Sequence, residues 1–362
     1  MRAIEARGHR IVPIVINLRE GPAQAADRLL AARANVVAGA GGSSALATLL
    51  SPGPKALRAF SFLARQKRLK RRSLLWNAMK IAAIGRAAGC DHFHAHFSGG
   101  AAAHAIVAAR WIGASVSFVC HGHDVYAEAE DLPLKLAAAD GVVAVCNDMA
   151  DDLARLAPRA GIATVPCGAD HRAFQARGKA GAFRRLLFVG RLVEQKGIDD
   201  LLSALALSPE IGVDLVGDGP LLEPLRAQAE ALGLGDRVAF LGGRPREWLI
   251  ENAPNYFGLV APFKEAPDGA RDSGPMVVKE AMAMGMPVVA TRFMGLKEMV
   301  TPATGFLADP GDPLTIAEAM AALLGLSAAE RAEMGRRARA RMVEVFSLDA
   351  TTRKLSNLFE AS

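Results

Sequence analysis

Apolar and polar positions along the chain fall into short runs of strand character separated by longer stretches of helical spacing. Ile11–Ile16, Ser115–Cys120, Asp140–Val145, Arg185–Leu192, Val213–Gly217, Val238–Gly242 and Pro287–Thr291 read as strands, and His92–Phe97 as a strand end. Leu74–Ala88, Ala101–Ile112, Asp148–Ala157, Ile198–Leu207, Leu221–Leu232, Leu314–Leu324 and Ala328–Phe346 carry apolar residues at helical spacing. Strands that alternate with helices imply parallel sheets in an α/β protein. At 362 residues the chain has room for two such domains. The polar stretch from Arg172 to Arg184 marks a boundary. The division expected is 1–172, a linker 173–184, a second domain 185–346 and a last helix in 347–362.

The start of the chain departs from this rhythm. Residues 1–10 read as the last turns of a helix closed by Gly8, with no strand and glycine-rich loop ahead of them. The first domain is therefore expected to lack its first strand, through a misassigned start or a truncation. From Asp27 to Ala88 the chain is rich in Ala and Leu, broken at 39–44 and at 51–54, which suggests several helices.

The chemistry concentrates in residues 261–291. Pro262, Pro267, Gly269, Gly274 and Pro275 impose a loop. A helix opens with Pro275 at its first position and presents Val277, Val278, Ala281, Met282 and Met284, and Gly285 closes it. Bare N–H groups at such a helix start suit a phosphate or a sugar hydroxyl. Asp272 and Glu280 frame the turn, and ionised carboxylates accept from hydroxyl donors. Read alone, they are equally a solvated loop acid and a surface helix acid.

Two further clusters stand at strand ends. Arg191 and Lys196 share the turn after Arg185–Leu192 and bring two cations to the carboxyl edge of a sheet. Such cations suit a departing diphosphate, whose charge grows in the transition state. His121 and Asp124 follow Ser115–Cys120, where a sugar ring could be gripped. His94 and His96 are weaker candidates, and a His/His/Asp metal site is conceivable on composition. Gly219 permits close approach of a ring or phosphate. Trp248 and Tyr256 read as core or hinge residues.

Asp272-Ser273-Gly274-Pro275, then Glu280-Ala281-Met282-Ala283-Met284-Gly285-Met286-Pro287-Val288-Val289, resembles the signature of retaining glycosyltransferases of family 4. Gly190-Arg191-Leu192 with Lys196-Gly197 resembles that family's diphosphate-binding pair. His121-Gly122-His123-Asp124 is similar to its His-x-His-Asp cluster. Val165-Pro166-Cys167-Gly168-Ala169-Asp170 is similar to its crossover segment, with Cys167 where Asn is usual. The first acid is Asp where the family has Glu, and Ser273 replaces a Gly. The likeness covers about residues 90–350.

The resemblance implies a GT-B fold, α/β with two Rossmann-like domains facing across a cleft, and a last helix that returns to the first domain. It implies retaining, metal-independent hexose transfer from a UDP- or GDP-sugar to a saccharide or lipid-linked acceptor, with no other cofactor. His121, Arg191, Lys196, Asp272 and Glu280 would be catalytic. Asp124, Gly219, Arg244, Gly274, Pro275, Met276 and Val277 would line the donor site. An epimerase or phosphorylase-like enzyme, or a non-catalytic nucleotide-sugar-binding scaffold, are the alternatives.

Composition adds a location. The net charge of +6 is uneven: residues 1–170 hold 20 Lys and Arg against 13 Asp and Glu. Arg65, Lys67, Arg68, Lys70, Arg71 and Arg72 form either a solvated helix face or a patch for anionic lipid, each cation contributing about 1 kcal/mol at such a surface. Without aromatic interleaving or a recognition motif, nucleic acid is not an expected partner. Four cysteines with no C-x-x-C pair suggest neither a zinc site nor a disulfide framework. A cytoplasmic protein is expected, on the inner face of the plasma membrane if the basic patch binds there.

Overall fold

The computed structural model describes residues 1–17, 25–175 and 183–361, so part of the expected linker, 176–182, lies outside the described residues. The chain forms two compact units. The first comprises Met1–Val145, Met149–Val165 and Thr352–Ser362, and the second Cys146–Asp148 and Pro166–Thr351. The units thus part at Val165 and Pro166, ahead of the polar stretch.

In the first unit, β1 (Ile14–Val15) pairs in parallel with β2 (Asn35–Val36). The expected strand at 11–16 shortens to its last residues. β2 was not expected, because a two-residue strand in an Ala-rich stretch leaves no period to read. A four-stranded parallel sheet follows, ordered as the chain runs: β3 (His92–His96), β4 (Ser115–Cys120), β5 (Gly141–Ala144) and β6 (Ile162–Thr164). The helix Gly100–Ile112 buries Ala102, Ala103, Ile106 and Val107. Phe359, on the last helix (Leu348–Glu360), lies 4.9 Å from the His92 ring and 5.0 Å from that of His94.

The second unit holds a six-stranded parallel sheet. Its strands are β7 (Phe183–Val189), β8 (Gly212–Val216), β9 (Val238–Gly242), β10 (Tyr256–Ala261), β11 (Val288–Thr291) and β12 (Gly305–Ala308). They lie in the order β12-β11-β10-β7-β8-β9. This is the dinucleotide-binding order, and it reverses between β7 and β10. β10, the central strand beside that reversal, was not among the expected strands. All six of its residues are buried, so Tyr256-Phe-Gly-Leu-Val-Ala shows no alternation to betray it. Leu186, Leu187, Phe188, Leu259, Val260 and Val289 fill the core on the sheet. Tyr256 is a core residue, as expected, and its hydroxyl donates to Asp214 at 2.7 Å.

Candidate active site

In open α/β sheets a ligand crevice opens beyond the strand ends where the order reverses. Here those ends are the loops after β7 and β10. Gly197, at φ +61, closes the first. A Cβ there would stand 1.9 Å from the Pro262 carbonyl oxygen, so only glycine lets the two loops touch. That contact draws the loop after β10 against Lys196. The Lys196 ammonium lies 2.5 Å from Asp272 Oδ2 and 3.9 Å from the centre of the Phe263 ring. Thus the cation after β7 and the acid of the turn meet at one point, the switch point of the sheet. Arg191, on the same loop, is exposed to solvent.

The helix Met276–Ala283 starts one residue later than expected, with Pro275 as its N-cap, and Gly285 at φ +74 ends it. Val278, Ala281, Met282 and Ala283 are buried, while Met276 faces solvent at the opening. The first N–H groups of a helix have no intrahelical acceptor. Gly274 N–H makes a long bond, 3.4 Å, to Asp272 Oδ1. Glu280, one turn into the helix, is half-buried, and burial pushes its carboxyl above the usual range. Arg246 and Lys279 pull it the other way. Arg246, which the sequence reading passed over, stacks 4.5 Å from the Phe174 ring. Arg244 stands 5.8 Å from the Trp248 ring. Gly219 serves its own chain first: a Cβ there would fall 2.4 Å from the Leu192 carbonyl oxygen. It therefore lets the turn after β8 lie on the loop that carries Arg191.

Lys279 is fully buried, and its Nζ has no hydrogen-bond partner. Burial lowers its pKa, against the opposing pull of Cys167, Asp272, Cys146 and Glu298. The unfolded chain binds a proton below the ordinary lysine value that the folded chain resists, so this residue costs stability at neutral pH. Lys279→Met is expected to stabilise the fold by about 1–3 kcal/mol in urea unfolding at neutral pH. The gain should shrink as pH rises toward 10.5. An unchanged or lowered midpoint would assign the ammonium a compensating partner.

In the first unit His121 stacks on His96 at 5.8 Å and lies 4.5 Å from Phe97, which takes a left-handed φ of +68. Asp124 is a brace. Its carboxylate accepts from the N–H groups of His121, Gly122 and Ser98, at 2.9, 3.0 and 2.6 Å. It ties the end of β4 to the segment after β3 and so sets where His121 sits. Behind this end, His92 and His94 meet the hydroxyls of Ser115 and Ser117. Burial drives His94 down to about 3 and also lowers His92 and His104. The His94 imidazole stays neutral in the fold while the unfolded chain protonates it below pH 6.5. Stability is expected to fall by about 2 kcal/mol between pH 6.5 and about 5 from His94 alone. His94→Gln should flatten that slope, and a wild-type slope in the variant would exclude it.

Among the described residues no group of three or more His, Cys, Asp or Glu is arranged to hold a metal ion. No single described helix is long and apolar enough to cross a membrane.

Two Rossmann-like α/β units, the second with a cation and an acid paired at its switch point, place the chain among the two-domain doubly wound α/β folds. Two family models cover it almost end to end: Glycosyltransferase Family 4 matches residues 2–173 and Glycosyl transferases group 1 matches 170–341. The chain belongs to these glycosyltransferases, and its fold is GT-B. It is 31% identical over 211 residues to the putative colanic acid biosynthesis glycosyltransferase WcaL of Escherichia coli K12, covering 56% of this chain and 52% of that one. It is 27% identical over 291 residues to N-acetyl-alpha-D-glucosaminyl L-malate synthase of Bacillus anthracis, 74% of each chain. Among solved structures, Anabaena HepE in complex with UDP-glucose matches with a TM-score of 0.66 at 20% identity, covering 81% of this chain and 84% of that one. The chain thus spans about half the length of the colanic acid relative.

Proposed function

We propose that this chain transfers a hexose from a nucleotide-diphosphate sugar to a saccharide or lipid-linked acceptor of a surface polysaccharide, with retention and without a metal. The observation that carries the reading is the Lys196–Asp272 pair, 2.5 Å apart, at the switch point of the second sheet. Lys196, with Arg191 on the same loop, would take the diphosphate, whose charge rises as the glycosidic bond breaks. Asp272 would then turn to the hexose hydroxyls, and Glu280 would accept from the ribose. The N–H groups of Gly274, Met276 and Val277 would face phosphate and sugar at the helix start, beside Pro275. Those cations do the work a metal does elsewhere. HepE, of the same fold, was solved with UDP-glucose, which supports a nucleotide-sugar donor. The colanic acid glycosyltransferase supports a polysaccharide acceptor.

The test is a thermal-shift screen of UDP- and GDP-sugars, followed by a transfer assay with the donor that raises the melting point. The anomeric configuration of the product, read by NMR, then checks retention, and activity in excess chelator checks metal independence. A chain that binds no nucleotide sugar, or binds one without hydrolysing or transferring it, would overturn the reading.

A further inference from the structure

Between Asp27 and Asp91 the chain has no acidic residue and 12 Lys and Arg. Eight of them fall from Lys55 to Arg72, at the two ends of the helix Ala56–Ala64 and the start of the helix Arg71–Ala87. A solvated basic face is the ordinary result of such a run, but the helix between the cations is not polar on its outer side. It buries Ala56, Ala59, Phe62 and Leu63 on one side. On the other it exposes Leu57, Phe60, Ser61 and Ala64, one stripe by helical spacing. Leu57 is 82% exposed and Phe60 48%. Just upstream, Leu50 is 75% exposed. Trp111 ties these segments together: its ring is 5.0 Å from that of Phe60, and its Nε1 donates to the Thr48 carbonyl at 2.8 Å.

Beside the end of the stripe lies an open cavity of about 460 Å³, lined by Ala64, Arg65, Lys67, Arg71, Asp131 and Leu134 among others. Asp131 is the one acid on it, and its Oδ2 already accepts from the N–H groups of Lys67 and Arg68 at 2.9 and 3.2 Å. That carboxylate shapes the loop and leaves three cationic side chains around the opening.

We propose that the helix Ala56–Ala64 seats on an anionic lipid bilayer, with Leu57 and Phe60 entering the acyl boundary and Arg65, Lys67 and Arg71 receiving a lipid phosphate. An exposed apolar stripe rimmed by cations is what an interfacial helix presents. Long basic side chains flank it at both ends, where they reach the headgroups while their stems lie on apolar surface. The charge selects this occupant. A second copy docked by the same segment would bring the eight Lys and Arg of 55–72 against the same eight, with no acid in that segment. Nucleic acid would gain nothing from an aliphatic Leu57 exposed on this face. The inference stands apart from the donor site, since vesicle binding needs no catalysis.

The experiment is flotation of the whole chain with phosphatidylcholine vesicles, with and without phosphatidylglycerol. The protein is expected to float only with the anionic lipid, and to be released by high salt. Arg65→Gln, Lys67→Gln and Arg71→Gln together should weaken partition about 100-fold. Leu57→Asp should weaken it at least ~10-fold at unchanged thermal stability, because the side chain it replaces packs on little. Equal flotation on neutral vesicles, or wild-type flotation by Leu57→Asp, overturns the seating. Release by millimolar inorganic phosphate as complete as release by high salt would make the cavity a free-phosphate site and overturn it as well. So would duplex DNA that strips the protein from the vesicles at physiological salt.

Discussion

Lys196→Ala is expected to lower glycosyl transfer at least ~100-fold, the scale of losing one preorganised charge at a developing anion. The loss should fall on kcat more than on KM, because the diphosphate gains charge as the bond to the sugar breaks. The geometry adds a complication that makes the experiment sharper. Lys196 is held by Asp272 at 2.5 Å and by the Phe263 ring at 3.9 Å. Removing it strands the carboxylate as well as the leaving group. Asp272→Asn in the same background separates the two effects. If the pair acts as a unit, the double variant should fall little further than the worse single, a coupling that independent sites would not show. Lys196→Arg should recover only part of the rate, since a planar fork does not replace a compact ammonium packed over a ring. Near wild-type transfer in Lys196→Ala would remove Lys196 from the mechanism.

The parts of this site that could be read in the sequence share a physical trait: their geometry is local. Gly197 is required where two loops cross, and it stands next to the lysine it exposes. Glu280 lies one turn into a helix whose opening proline and closing glycine are both written in the chain. The missed parts depend on distant partners. Nothing in His-Gly-His-Asp says that Asp124 accepts from Ser98, 26 residues upstream, so its bracing role was not legible. Lys264 carries no sequence signal of its own, yet it bridges Asp199 and Asp200 at 2.6 and 2.8 Å at the start of the helix Ile198–Ala206. Lys279 precedes Glu280 in the signature, and nothing local shows that the helix turns it fully inward. The central strand β10 escaped for a different reason. A strand covered on both faces carries no period, so burial erases the signal by which strands are found.

Glu280→Ala is expected to lower kcat/KM at least ~100-fold and, unlike most damage to an enzyme, to raise its stability. Burial pushes this carboxyl up, so the folded chain holds its proton to higher pH than the unfolded chain does. Linkage then has a definite sign: stability falls as pH rises from the ordinary carboxylate range through the raised pKa. Removing the carboxyl lifts the penalty. The pH profile should agree, because the ionised form accepts from the ribose hydroxyls. Donor affinity should therefore weaken as pH falls through the raised pKa in the wild type, and be flat there in the variant. The free nucleotide discriminates the two acids. Glu280→Ala should lose the thermal shift given by UDP or GDP alone, whereas Asp272→Asn should keep it and lose only the extra shift given by the attached sugar. A Glu280→Ala protein that binds free nucleotide as the wild type does would move the ribose elsewhere, and with it the assignment of the helix Met276–Ala283 to the donor.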